Sequence, residues 1–130
     1  VQAYGQIPID VEQLQIDLLT ASGHKFRGPK GTGFLYVREN VKLQSLIHGG
    51  AQERGLRAGT ENVPGIVGLA TAAYIADATM EQRIRHELYI RSYMTDKLLD
   101  EIPYSQLNGH PDKRLPNNIN ISFEFIFFFL

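Results

Sequence analysis

Ser22-Gly23-His24-Lys25 is the stretch whose residue types could do chemistry. A lysine amine in water is protonated and inert. Moved into poorly solvated surroundings it loses its proton more easily and can add to a carbonyl. A hydroxyl, an imidazole and glycine amides beside it are good partners for a phosphate. The stretch follows residues 17–21 (DLLTA), a short, mostly apolar run that reads as a buried strand. In open α/β sheets, sites gather at the carboxyl ends of strands. The plainer alternative is a polar surface loop with a solvated lysine, and the four residues alone do not exclude it.

Two glycine-dense segments follow. Gly28-Pro29-Lys30-Gly31-Thr32-Gly33 has neither the spacing of a phosphate-binding P-loop nor the third glycine of a dinucleotide fingerprint, since position 36 is Tyr. It reads as tight turns into a strand at residues 34–37, apolar throughout and so expected to be covered on both faces. Residues 48–62 (HGGAQERGLRAGTEN) carry Arg54 and Arg57, able to bind carboxylate or phosphate, and place Thr60 just ahead of a helix start. A surface loop capping that helix is the equal alternative. The 4 histidines, His24, His48, His86 and His110, include no i,i+4 pair, and cysteine is absent. No structural zinc site or disulfide is expected. No carboxylate pair points to glycoside hydrolysis.

The elements that must position these residues are short. Residues 9–16 fit a short helix starting near Asp10. Val63, Ile66, Val67, Ala70, Ala73 and Tyr74 recur at helical spacing, with Asn62 as N-cap and Pro64 in the first turn. A second helix is expected over residues 80–101, with Met80, Ile84, Leu88, Met94, Leu98 and Ile102 on one face. Thr79 and Gln82 have the form of a capping box, Pro103 ends the helix, and the two helices either break near residues 77–79 or form one bent rod. Residues 105–117 read as a polar loop. Ile119, Ile121, Phe123 and Phe125 alternate with polar residues, as in a half-buried strand. The pattern is α/β, followed by the start of a smaller α+β unit.

The 130 residues amount to one domain's worth of chain, 43% apolar and 21% charged, so the chain is globular rather than disordered. A net charge of −1, with no basic run, argues against nucleic-acid or membrane-surface binding through bulk charge. No stretch is long and apolar enough for a transmembrane helix, no signal peptide is visible, and cytoplasm is the default compartment. Both ends read as cut. The chain starts Val1-Gln2-Ala3-Tyr4, as if inside an ordered element, and closes on an apolar run over residues 125–130. A segment of a longer protein is expected, or one whose sequence changes near residue 126.

Taken together, Ser22-Gly23-His24-Lys25, Gly28-Pro29-Lys30-Gly31, His48-Gly49-Gly50 and residues 52–62 (QERGLRAGTEN) closely resemble the cysteine desulfurases. These belong to the class V aminotransferase group of pyridoxal 5′-phosphate (PLP) enzymes. The resemblance runs from Val1 to about Ile126. It implies the fold type I, aspartate-aminotransferase-like architecture. Residues 1–77 would be the C-terminal part of the PLP-binding large domain and residues 78–130 the start of the small domain. It implies that Lys25 holds PLP as a Schiff base and, once freed, acts as general base. His24 and Ser22 would contact the cofactor phosphate, and Gln2 its phenolic oxygen. Thr60 would reach the phosphate of the other subunit's cofactor in a homodimer. It further implies L-cysteine as substrate, L-alanine as product and a sulfur-acceptor protein serving iron–sulfur cluster or thio-cofactor assembly.

Departures accompany the match. The aspartate facing the pyridine nitrogen, the ring-stacking histidine, the first phosphate loop, the sulfur-carrying cysteine and the substrate-carboxylate arginine find no counterpart in these residues. Ala58 stands where many family members have serine, and the phenylalanine-rich end does not resemble the family's continuation. Without a thiol the chain by itself is expected to be inactive. The alternatives are a selenocysteine-lyase-like or other class V enzyme, and a non-catalytic remnant that self-associates through its β-prone residues 119–130.

Overall fold

The computed structural model describes residues 1–125. The chain divides into two compact units, one covering Val1–Asp77 and the other beginning at Ala78.

The first unit is built on a hairpin. Strand β1 (Leu18–Ser22) pairs antiparallel with β2 (Gly33–Val37), from Leu18 opposite Val37 to Ser22 opposite Gly33. Between them the chain makes a 3-10 turn, Gly23–Phe26, and the Gly28–Thr32 bend. The hairpin lies against helix α1 (Val63–Ala78). The core comprises Ala21, Phe26, Leu69, Ala72 and Ala76, with Tyr4, Phe34 and Ala73 packed on its margin. Tyr4 joins the aromatic residues, its ring centroid 4.9 Å from Phe26 and 5.0 Å from Phe34. β2 is not covered on both faces as its sequence implies: Leu35 is 49% exposed.

α1 buries a different face from the one its spacing predicts. The inward residues are Gly65, Leu69, Ala72 and Ala76, whereas Val63, Ile66, Val67 and Tyr74 face outward. The helix is apolar around most of its circumference, so periodicity does not select a side. Side-chain size does. A Cβ added at Gly5 would stand 3.2 Å from the Ala76 Cβ, and one at Gly28 would stand 3.3 Å from the Ala72 Cβ. Only a seam of small residues admits backbone that close.

Residues 10–16 form a single turn instead of a helix. The Asp10 carboxylate accepts hydrogen bonds from the amides of Glu12 and Gln13, each 2.9 Å, as an N-cap would. Gln15 then takes a left-handed conformation (φ 52°) and ends the turn. Arg38, just past β2, clamps this turn. Its Nε donates to the Ile16 carbonyl at 3.1 Å and its Nη2 to the Val11 carbonyl at 3.0 Å, while Glu12 and Asp17 flank it at 3.3 and 3.2 Å. Nearby, desolvation and the adjacent Glu12 carboxylate raise the Tyr36 hydroxyl above its ordinary pKa. The carboxylates are mostly solvated, so the ion pairs themselves contribute little. The two carbonyls lose charge-assisted donors if Arg38 is removed. Arg38→Ala is expected to destabilise the first unit by about 1–3 kcal/mol, read as a lower urea midpoint at unchanged slope.

In the second unit, α2 (Met80–Glu101) has the bounds its sequence predicts, set apart from α1 by Thr79. Ile102, held extended at φ −109°, ψ 109° ahead of Pro103, stops it. The capping box does not form. Thr79 makes no side-chain cap bond, and its hydroxyl accepts from Arg83 Nε at 3.1 Å. The better-covered side of α2 carries Met80, Arg83, Ile84, Glu87, Arg91, Thr95 and Leu98, while Leu88, Met94 and Ile102 are exposed, so the predicted apolar face is only partly realised. The expected loop after α2 contains strand β3 (Ser105–Leu107), paired antiparallel with β4 (Ile121–Phe123). β4 is shorter than the alternation implies. Glu124 and Phe125 already turn, and residues 126–130, the rest of the phenylalanine-rich run and of the β-prone stretch expected to self-associate, lie outside the described residues. No single helix among the described residues is long and apolar enough to cross a membrane.

Candidate cofactor-binding site

Lys25 lies in the 3-10 turn that leaves the carboxyl end of β1. A 3-10 helix has three residues per turn, so positions i and i+3 eclipse. Gly23 and Phe26 therefore share one side and are buried, and His24 and Lys25 are turned outward and exposed. Phe26 anchors the turn in the core. Arg27, left-handed at φ 69°, closes it with its amide donating to the Gly23 carbonyl, which also accepts from Gly28 N at 2.8 Å. The Gly23 amide donates to the Thr32 carbonyl at 2.8 Å. A Cβ on Gly23 would stand 2.8 Å from Thr32 Oγ1, 2.9 Å from Leu69 Cδ1 and 3.0 Å from the Pro29 carbonyl oxygen. The glycine is a packing requirement, and the turn is pinned on three sides.

Ser22 Oγ and His24 Nδ1 are 2.9 Å apart. If the hydroxyl donates, the imidazole is neutral and its remaining proton is on Nε2. If Nδ1 carries the proton, it donates to the hydroxyl oxygen, and the serine O–H is free to donate elsewhere. Either way the pair offers a donor to an anion beside the lysine. Gln2 is exposed, and its segment, folded on itself by Gln6 N and Ile7 N donating to the Ala3 carbonyl, meets the same turn through Tyr4 on Phe26.

Thr60 belongs to a second structure. Residues 47–59 form a loop pinched at its base, where Ala58 N donates to the Ile47 carbonyl at 3.2 Å and Gly59 N to Gln52 Oε1 at 3.2 Å. Ala58 is buried there, and a Cβ on Gly49 would meet its methyl at 3.1 Å. Arg57 bonds the Ala58 carbonyl at 2.8 Å, and Arg54 is held left-handed at φ 58°. Thr60 is exposed just before Asn62, whose Oδ1 accepts from Gly65 N at 3.1 Å and caps α1 as predicted. Ser22, His24 and Lys25 thus share one turn and Gln2 is tethered to it. Thr60 has no direct hydrogen bond to that turn among the described residues. His86 is solvated on α2, and His110 Nδ1 accepts from the amides of Asp112 and Lys113, each 3.1 Å.

Sequence reasoning missed Tyr4, Phe26 and Thr32. The first two were hidden as ordinary aromatics. The available signal for Thr32 was a β-branched hydroxyl residue standing alone between Gly31 and Gly33.

The donor set fits an aldehyde-bearing phosphate cofactor: one amine and an imidazole–hydroxyl pair, held on a turn with no room to deform. The aminotransferase class-V profile matches residues 1–127. The chain is 57% identical over 126 residues to the cysteine desulfurase IscS of Methanosarcina thermophila, covering 97% of this chain and 31% of that protein. Among solved structures it is similar to a NifS-like protein (TM-score 0.88, 43% identity, 95% of this chain and 33% of the other). It is also similar to SspA in complex with cysteine (TM-score 0.70, 39% identity, 95% and 33%). The chain spans about a third of the length of the relatives it matches. With residues 1–127 matched and the lysine turn in place, the chain belongs to the class-V aminotransferases, a family that implies PLP as cofactor.

Proposed function

We propose that these residues supply the lysine and phosphate contacts of a PLP-dependent cysteine desulfurase. The protein would convert L-cysteine to L-alanine and hand the sulfur atom to an acceptor thiol, which becomes a persulfide. The observation that carries this reading is Lys25 on a rigid turn with the Ser22–His24 pair, 2.9 Å apart, beside it. When bound, PLP supplies an electron sink for carbanions next to its ring. The rest is done by side chains. Lys25 Nζ holds the cofactor covalently. Released by the substrate amine, the same nitrogen takes the proton from the substrate α-carbon and can return one to the carbon that loses sulfur. Ser22 Oγ and His24 orient the phosphate, and Gln2 donates to the phenolic oxygen. Thr60 serves the cofactor of a second subunit in a homodimer. The acceptor thiol cannot come from these 130 residues, which contain no cysteine. Similarity to desulfurases, and to a protein solved with cysteine, supports the substrate assignment.

Covalent trapping tests the reading. PLP is added, the product is reduced with borohydride, and the protein is digested and mapped by mass spectrometry. The pyridoxyl group is expected on Lys25 and not on Lys30 or Lys42. Equal labelling of all three would refute a dedicated site.

A further inference from the structure

We propose that Thr32 is a positioning residue that sets Lys25 against the first turn of α1, each branch of its side chain holding one of the two. The proposal rests on reading the Lys25 turn as the cofactor site. The Thr32 hydroxyl donates to the Pro29 carbonyl at 2.8 Å, and its own carbonyl receives the Gly23 amide at 2.8 Å. A Cβ at Gly23 would come within 2.8 Å of Oγ1. The oxygen branch is therefore packed into the base of the lysine turn. The methyl branch serves α1: a Cβ at Gly65 would stand 2.6 Å from Thr32 Cγ2. Gly65 in turn is the residue whose amide Asn62 caps, close after Thr60. Pro29 continues the contact, since a Cβ at Gly68 would lie 2.6 Å from its Cγ.

A β-branched side chain is stiff about χ1, so its two branches cannot move independently. A shift of the lysine turn is passed to the start of α1, and the reverse holds too. The segments carrying Lys25 and Thr60 share no direct hydrogen bond among the described residues; Leu69, Ala72 and Pro29 join the turn to the middle of α1, and Thr32 joins it to the first turn, next to Thr60.

The two branches can be removed one at a time. Thr32→Val keeps the shape and deletes the hydroxyl. Thr32→Ser keeps the hydroxyl and deletes the methyl. Amide hydrogen exchange on the cofactor-free chain is the first readout. Val is expected to raise exchange at Gly23 and Gly28 about fivefold, the loss of roughly one hydrogen bond's protection, and to leave Gly65 and Ile66 little changed. Ser is expected to do the opposite. PLP affinity is the second readout. Val should weaken it several-fold and Ser should restore it. Uniform acceleration of exchange across the unit in both variants, or unchanged PLP affinity in Thr32→Val, would overturn the proposal. If the unsubstituted chain does not attach PLP to Lys25, the functional reading fails, and the two exchange patterns alone decide whether Thr32 joins the turn to the start of α1.

Discussion

Lys25→Ala is expected to abolish the visible absorbance that PLP acquires on binding, while leaving the fold unchanged. The first half follows from chemistry. Lys25 is the sole amine on the 3-10 turn, and no neighbouring residue of the Ser22–His24 pair can make the same bond. The effect should be complete, because covalent attachment either exists or does not. The second half follows from placement. Lys25 points outward from a turn anchored by Phe26, so its removal should shift stability by no more than about 0.5 kcal/mol. Lys30→Ala is the matched control, an exposed lysine of the same hairpin, and should keep the band. Absorbance that survives in Lys25→Ala would sink the assignment. Thermal melts of the three proteins should superimpose and so separate loss of chemistry from loss of structure.

Gly33→Ala should have a large structural effect, on the scale of that expected for Arg38→Ala. Gly33 is the last rung of the hairpin, opposite Ser22, and a Cβ there would stand 2.5 Å from the Ala21 carbonyl oxygen. That neighbour is backbone, so no side chain can swing aside. Either β2 moves away or the end of the ladder opens. Overpacking of this kind costs about 1–3 kcal/mol, a drop of several degrees in the midpoint for a domain this small. Because Ser22 occupies the same rung, cofactor attachment should fall with the melting temperature. Gly31 is the contrast. It has a positive φ of 77° but open space around its would-be Cβ, so its alanine variant would be strained in backbone alone. A Gly33→Ala protein as stable as its parent would show that the hairpin end is looser than its geometry.

Local rules made much of this legible. Asn62 caps α1 and Pro103 halts α2 through short-range stereochemistry that acts within a few residues. The lysine turn was visible because unusual residue types stood together. What failed depended on partners distant in sequence. The buried face of α1 is chosen by loops carrying Gly5 and Gly28, which no helical wheel contains. β3 is polar and reads as loop. It is a strand because Ile121–Phe123 pairs with it, and Asn108 Nδ2 donates to Ser122 Oγ at 2.7 Å beyond its end. Thr79 abandoned its capping pattern because Arg83, one turn on, is a charged donor for its oxygen.

The outward face of α1 has a practical consequence. Val63, Ile66, Val67 and Ile75 present oil to water along most of the helix, with no charge among them. Handled alone, the polypeptide should be sparingly soluble and bind apolar dyes, and salting-out agents should precipitate it early. Lysines grafted onto those positions would improve its behaviour in the test tube without touching the seam that holds the reactive turn.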